Sequence, residues 1–286
     1  MSSPKNILSI QSEVVTGHVG NAAARFALQR LGHEVWALPT VILSSHAGHP
    51  GFAGEATSLA LLAKLIDALE AQGRLADCHG VISGYLGSSE QAELVADAVR
   101  RTKAANPKAR YCLDPAFGDE GRIYARPGVA EAMAERLLPL ADIVTPNAFE
   151  LSVLSGQPVG DPDEAWAAAA RLARPIVAGK SVPVGDWIGT LLLAGDAAWL
   201  ASTPRLANPP RGAGDLFAAL LTGHLLVGRP PATALELAVR STFHVLAQSD
   251  GHDEMQLIAE QQALITPPAL PAFRLEPLGS GRRAHG

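Results

Sequence analysis

Residues Gly212–Leu221 read GAGDLFAALL, and the apolar run continues to Leu226. Two glycines around Ala213, then Asp215, then a long apolar stretch predict a glycine turn that opens a buried helix over Asp215–Val227. Glycines leave backbone N–H groups free to converge on an anion. The helix that begins behind them adds its positive end to the same place. The stretch therefore predicts an anion site where a strand gives way to a helix.

Asp215 needs a different role, because a carboxylate is repelled by a phosphate. We interpret it as a general base that takes a proton from a substrate hydroxyl. The amides of Gly212, Ala213 and Gly214 would then hold the charge that develops on a transferred phosphoryl group. No Lys-Ser/Thr pair follows the glycines, which excludes a Walker P-loop. The alternative is a plain turn that ends in a helix cap.

Short apolar runs alternate with amphipathic stretches along most of the chain, which predicts buried parallel strands covered by helices on both faces. The predicted strands are Asn6–Ile10, Glu34–Leu38, Gly80–Ser83, Arg110–Leu113, Asp142–Thr145, Ile176–Ala178, Thr190–Leu193 and Ala198–Ala201. The predicted helices are Val19–Leu31, Glu55–Ala71, Ser88–Ala104, Gly128–Leu137, Ala148–Leu154, Asp163–Leu172, Asp215–Val227 and Ala232–Ala247. The short connection at Gly195 predicts an antiparallel hairpin at one edge. The fold class is thus α/β, with a mainly parallel sheet and an antiparallel edge.

Composition limits the function classes. The chain has 286 residues, 48% of them hydrophobic, and a net charge of −5. We expect one domain over residues 1–278 and a disordered tail over 279–286. Mixed charge offers no basic face for nucleic acid and no polybasic membrane patch. Cys78 and Cys112 suit buried free thiols, and the start of the chain shows no signal peptide, so we expect a soluble, cytoplasmic protein.

Polar residues stand where the predicted strands end, and ligands bind beyond the carboxyl ends of parallel strands. Asp114 and Asp119 fit either a turn or carboxylates that face a nucleotide-bound Mg²⁺. Glu150 stands three residues after Asn147, a capping-box spacing that is also compatible with orienting a metal-bound water. The full set of strand-end candidates is Ser12, Gly84, Tyr85, Asp114, Thr145 and Lys180.

Isolated basic and imidazole side chains indicate less about function than the strand-end residues do. Lys180 and Arg211 fit either solvated loop residues or cations beside phosphates. The spacing of His18, His46 and His49 matches no zinc motif, so we expect no metal site from them.

Several motifs together resemble the ribokinase superfamily and, within it, the pyridoxal kinases. The resemblance runs from about Lys5 to the penultimate helices. The matching stretches are ILSIQS (7–12), GHVGN (17–21), GYLGS (84–88), LDPAFGDEGRIY (113–124), TPNAFEL (145–151) and GAGDLFAALL (212–221).

The resemblance implies ATP and Mg²⁺ as cofactors, pyridoxal as the substrate, a homodimer and, in many members, a response to K⁺. It implies Asp215 as the base and the Gly212–Gly214 amides as the anion hole. Ser12 and Tyr85 would contact the substrate, with Ala47 standing where many members have a threonine. Asp114, Asp119, Thr145, Glu150, Lys180 and Arg211 would lie around the phosphates and cations, with Asp114 and Glu150 nearest the metal.

Three stretches depart from the family pattern, namely SSHAGHPG around Ala47, Ser181–Gly189 and the short segment before Gly212. Ser44 or Ser45 could replace the missing threonine hydroxyl. A hydroxymethylpyrimidine kinase, a sugar kinase and a non-catalytic binder of B6 vitamers remain as alternatives. A dehydrogenase is disfavoured, because no GxGxxG follows the first strand.

Overall fold

The computed structural model describes residues 3–278, and their backbone forms one ten-stranded sheet and one small hairpin. The strands are β1 (Asn6–Val14), β2 (Glu34–Leu43), β3 (Gly54–Ala56), β4 (Cys78–Ser83), β5 (Arg110–Leu113), β6 (Gly118–Asp119), β7 (Arg122–Ile123), β8 (Ile143–Val144), β9 (Ile176–Val184), β10 (Trp187–Ala194), β11 (Ala197–Pro204) and β12 (Arg274–Leu278). The helices are α1 (Asn21–Arg30), α2 (Leu59–Ala71), α3 (Gln91–Ala105), α4 (Val129–Ala132), α5 (Ala148–Ser155), α6 (Pro162–Arg171), α7 (Ala213–Leu226), α8 (Pro231–Gln248) and α9 (Gln261–Ile265).

The strand order in the large sheet is β12-β11-β10-β9-β8-β5-β4-β1-β2-β3. The six central strands from β9 to β2 run parallel. The strands outside them, β10, β11 and β12 on one side and β3 on the other, pair antiparallel. Parallel strands deliver their carboxyl ends to one edge of the sheet, and that edge carries the candidate site.

Adjacent residues of the central strands serve opposite faces of the sheet, as a period of two requires. On β1, Ile7 packs into a core shared with α1, α7 and α8, whereas Leu8 packs into a core shared with α2 and α3. On β5, Cys112 packs into the same core as Ile7, and Leu113 packs into the same core as Leu8. Helix α7 is buried from Leu216 to Leu225, so its axis is fixed by packing along its whole length.

The predicted α/β class, the parallel centre and the antiparallel hairpin at Gly195 are confirmed. Several predicted bounds are wrong. Helix α2 begins at Leu59 rather than Glu55, because Gly54–Ala56 pairs with β2 and the Ser58 side chain then caps the helix. The predicted helix Gly128–Leu137 is regular only over α4 and widens over Met133–Leu137.

Strands β1 and β9 run further than the apolar pattern predicts. Ser12 lies inside β1 and Lys180 inside β9, although the sequence placed both just after their strands. Pairing with β2 continues past a register shift, so β1 extends to Val14. Antiparallel pairing with β10 continues past Gly179, so β9 extends to Val184. The pairs β6–β7 and β11–β12 were not predicted, because their residues carry no regular apolar alternation.

Both cysteines are free and buried, as predicted. No helix within residues 3–278 has the length and apolar character needed to cross a membrane. One continuous sheet through these residues supports our proposal of a single domain over residues 1–278. The predicted disordered tail, residues 279–286, lies outside the described residues.

Candidate active site

An ion pair with little solvent exposure joins the residue after β5 to the middle of β9. Lys180 Nζ lies 2.7 Å from Asp114 Oδ1, and the Thr145 hydroxyl donates to the same oxygen at 2.9 Å. The side chains of Asp114 and Lys180 are 3% and 12% exposed. Lys180 is held in place because its N–H donates to the carbonyl of Pro146 at 2.8 Å. The structure thus brings together three predicted site residues.

The charges around Lys180 keep its side chain protonated. Burial alone would lower its pKa, but the carboxylates of Asp114 and Glu150 raise it, and the net shift is upward. A buried ammonium is stable only when paired in this way.

Two glycine-containing loops meet at the start of α7. Gly212 has φ 97°, and a Cβ there would clash with the carbonyl oxygen of His18. Gly20 has φ 55°, and a Cβ there would clash with Ser12 Oγ. The absence of side chains lets the loop at residues 17–20 lie directly against the turn before α7, so both positions require glycine.

Asp215 is the titratable group at this junction. Burial raises its pKa to about 6, and the nearby charge of Asp114 acts in the same direction. A hydrogen bond from the Gly20 N–H and the charge of Lys180 lower the pKa in part. A carboxyl group with a pKa near 6 is suited to accept a proton near neutral pH.

The amides of Ala213, Gly214 and Asp215 open α7, and the first N–H groups of a helix have no partner within it. A Cβ placed on Gly214 would lie 3.1 Å from Lys180 Nζ and 4.0 Å from Asp114 Oδ2. Donor amides, a cation and two carboxyl groups therefore occupy one small volume. Such a volume can hold an anionic group and neutralise it.

Glu150 forms the predicted capping box with Asn147. Its Oε2 accepts the Asn147 N–H at 2.9 Å, and its Oε1 accepts the N–H groups of Phe117 and Gly118 at 2.9 and 3.3 Å. Burial raises the pKa of Glu150, and Lys180 opposes the shift. Oε1 thus fixes the turn after Asp114 and Oε2 fixes the start of α5, while the role of Glu150 near a metal stays a prediction.

Two tyrosines line the side of the site that faces the β6–β7 hairpin. The rings of Tyr85 and Tyr124 stack with centroids 6.4 Å apart. The Thr40 hydroxyl fixes the Tyr85 backbone by donating to its carbonyl at 2.6 Å. Asp119 lies on the exposed hairpin and accepts the Glu120 N–H at 2.8 Å. Tyr124 was missed as a site residue, although it ends the stretch LDPAFGDEGRIY.

Arg211, predicted as a cation beside the phosphates, stands directly before the glycine turn and lies against the loop between β2 and β3. A Cβ on Gly48 would lie 3.0 Å from Arg211 Nε, so the guanidinium packs against the loop between β2 and β3. Ala47, the predicted substrate-contact position, is exposed on the same loop. Arg211 therefore neighbours the predicted substrate loop, whereas Lys180 is the cation beside Asp114.

The expectation that the loop histidines form no metal-ligand set needs a correction. The structure places His46 and His49 with Glu254, and the potential ligand atoms of all three lie within 4.8 Å of one another. Spacing rules missed the group because Glu254 is 205 residues from His49.

This fold, with a glycine turn and an aspartate at the start of a buried helix, defines a small-molecule kinase of the ribokinase superfamily. The family model described as phosphomethylpyrimidine kinase matches residues 60–256. A curated "Pyridoxal kinase PdxY" from Rubrobacter xylanophilus is 43% identical, covering 92% of this chain and 94% of the relative. One from Deinococcus radiodurans is 42% identical, covering 90% and 92%.

Solved structures give the same assignment. Pyridoxal kinase from Leishmania donovani in complex with ADP and pyridoxamine superposes with a TM-score of 0.90 at 31% identity, covering 96% of this chain and 100% of that one. The chain belongs to the pyridoxal kinase family, as the motifs indicated.

Proposed function

We propose that this protein transfers the γ-phosphoryl group of ATP to the 5′-hydroxymethyl group of pyridoxal, with pyridoxine and pyridoxamine as further substrates. The observation that carries the proposal is the half-buried Asp215 at the start of α7, next to the Asp114–Lys180 pair. The curated relatives named pyridoxal kinase support the choice of substrate.

Asp215 acts as the general base. Its carboxylate removes the proton of the 5′-hydroxyl as the hydroxyl oxygen attacks the γ-phosphorus. The bond from that phosphorus to the β-phosphate bridging oxygen breaks, and ADP leaves. The amides of Gly212, Ala213 and Gly214 stabilise the charge on the transferred group. Phosphoryl transfer depends mainly on such positioning and charge stabilisation.

The oxygen donors on this chain fit a hard cation that would accompany ATP. Asp114 Oδ1 is occupied by Lys180 and Thr145, while within residues 3–278 no hydrogen bond is found at Oδ2. Mg²⁺ needs only one or two protein carboxylates. Asp114 would hold Mg²⁺, and the bound ion would offset the charge of the phosphates. Glu150 would orient a metal-bound water through the oxygen lone pairs that accept no backbone N–H. Lys180 and Thr145 orient Asp114 towards that cation.

The remaining predicted residues complete the proposal. Lys180 approaches the nucleotide phosphates, and Asp119 and Arg211 lie around the phosphates and cations. Ser12 contacts the pyridine ring, Tyr85 helps form the substrate and phosphate pocket, and Ala47 stands at the substrate without a hydroxyl to donate. We also propose a response to K⁺, a homodimer, a cytoplasmic location, and no binding to nucleic acid or membranes.

The test is ADP release from Mg-ATP with pyridoxal, pyridoxine, pyridoxamine, hydroxymethylpyrimidine and ribose as acceptors. Turnover highest with pyridoxal is the expected result. Turnover highest with hydroxymethylpyrimidine would favour the second candidate, which the family model named for phosphomethylpyrimidine kinase and the alanine at position 47 support. Vitamer binding without ADP release would overturn the kinase proposal in favour of a binding protein.

A further inference from the structure

Three nitrogen and oxygen donors meet beside the loop between β2 and β3, outside the groups assigned to phosphoryl transfer. His46 and His49 lie on that loop, and Glu254 lies in the segment after α8. The His46 and His49 rings lie with centroids 4.0 Å apart and planes tilted by 35°, and His49 Nε2 lies 3.0 Å from Glu254 Oε1. We call these three residues the His-His-Glu cluster.

The spacing of the cluster suits a transition-metal ion. Bonds of about 2.0–2.2 Å in a tetrahedral arrangement put neighbouring donor atoms about 3.4 Å apart. The His49–Glu254 contact is already near that value, and the remaining donors lie within 4.8 Å. The three side chains are partly exposed, and rotation about their side-chain bonds covers the difference. Two imidazoles and a carboxylate leave a fourth position open to water.

Backbone N–H groups form hydrogen bonds with two members of the cluster, the Glu254 carboxylate and the His46 ring. Glu254 Oε2 accepts the backbone N–H of His18 at 3.4 Å, which orients the carboxylate from behind as metal-site partners do. His46 Nδ1 accepts the Gly48 N–H at 3.0 Å. This hydrogen bond fixes the orientation of the His46 ring on the loop.

Charge near the cluster is mixed. The guanidinium of Arg211 packs against Gly48 and opposes a cation, while Glu254 supplies the compensating negative charge. The cluster offers two imidazole nitrogens and one carboxylate, rather than oxygen donors alone. A hard ion such as Mg²⁺ prefers oxygen donors, whereas Zn²⁺ and Co²⁺ take imidazole and carboxylate together.

We propose that His46, His49 and Glu254 bind one divalent transition-metal ion of the Zn²⁺ type, separate from the cation that accompanies ATP. The bound ion joins the loop between β2 and β3 to the segment after α8. Because Glu254 also accepts the His18 N–H, the ion would hold the loop at residues 17–20 in place as well. The proposal does not rest on the pyridoxal kinase activity, since none of its ligands takes part in phosphoryl transfer.

The test is a Co²⁺ titration of untagged, chelator-treated protein without nucleotide, followed by visible absorption. One equivalent of Co²⁺ should give the intense band of a tetrahedral site with nitrogen ligands, and Zn²⁺ should abolish it by displacement. Weak octahedral absorption alone would mean that only oxygen sites bind, which would overturn the proposal.

Variants assign the ligands. His49→Gln and Glu254→Gln should each weaken Co²⁺ binding by about 100-fold or more, since even partners behind metal ligands contribute 10- to 100-fold. His46→Gln is a third variant on the same loop. The matched control is His244→Gln, because His244 and Glu260 form a similar pair at 2.8 Å with comparable exposure and are not part of the cluster.

Thermal unfolding without metal checks that each variant is folded. Zn²⁺ should then raise the melting temperature of the wild type and of His244→Gln, but not of the three cluster variants. A tetrahedral band that persists unchanged in all three cluster variants would place the metal elsewhere and overturn the proposal.

Discussion

Lys180 Nζ lies 2.7 Å from Asp114 Oδ1, although the two residues are 66 positions apart in sequence. The pair joins β5 to β9 at the edge of the sheet where α7 begins. Asp114 raises the pKa of Asp215 and Lys180 lowers it, so the two charges act in opposite directions on the proposed base. The pair therefore serves both folding stability and the protonation state of the site.

Lys180→Met should lower the free energy of unfolding by about 3–5 kcal/mol, because it leaves the buried carboxylate of Asp114 without its partner. Urea unfolding measures this loss. The double variant Asp114→Asn with Lys180→Met should recover part of it, since no buried charge remains unpaired. Lys108→Met, at an exposed position, is the control and should have little effect. Equal stability of Lys180→Met and Lys108→Met would contradict a stabilising pair.

Asp215→Ala should lower kcat by about 10²-fold or more, because the variant lacks the proposed general base. The KM for ATP should change little, since Asp215 is assigned to the acceptor hydroxyl. Steady-state kinetics with both substrates separates the two effects. Asp196→Asn removes an exposed carboxylate at the opposite end of the sheet and should behave as wild type. Near-normal turnover in Asp215→Ala would end the assignment of the base.

The pH profile of kcat/KM should fall on the acid side with an apparent pKa of about 6, because Asp215 must be deprotonated to accept a proton. Below that pH the rate should drop about tenfold per unit. Asp114→Asn should move this limb to lower pH, since it removes the neighbouring negative charge that raises the pKa of Asp215. An unmoved limb in Asp114→Asn would argue that another group titrates.

Gly212→Ala should destabilise the protein and lower kcat, because the new Cβ would press on the His18 carbonyl and separate the two loops beside Asp215. Gly195→Ala is the matched control: Gly195 also has a positive φ, of 60°, but has open space around it. That variant should lose only the cost of the backbone conformation, about 1 kcal/mol. Unfolding curves and turnover are measured on both, and similar losses would contradict the packing argument.

Ala47→Thr should lower the KM for pyridoxal several-fold, because one added hydrogen bond contributes about 1 kcal/mol. The KM for ATP should stay the same. Ala53→Thr places the same side chain elsewhere on this exposed loop and serves as the control. The Ser44 hydroxyl accepts the Ala53 N–H at 2.9 Å, so it already serves the loop itself. An unchanged KM in Ala47→Thr would mean that position 47 does not face the substrate.

The sequence by itself determined the α/β class and the family, and it predicted Asp114, Thr145 and Lys180, which the structure brings together. Alternating apolar runs impose strands and helices locally, and a glycine turn before a buried helix is recognisable from a few consecutive residues. The capping box of Asn147 and Glu150 is equally local, which is why its spacing predicted it correctly.

Only the tertiary structure decided which of these groups meet. The pairing of Lys180 with Asp114, the contact of Gly20 with Ser12, the stacking of Tyr124 on Tyr85 and the meeting of His49 with Glu254 join distant positions. It also decided the pKa of Asp215, because burial and neighbouring charge depend on packing from several strands and loops. Local patterns specify elements, whereas distances between elements follow from how their apolar faces pack.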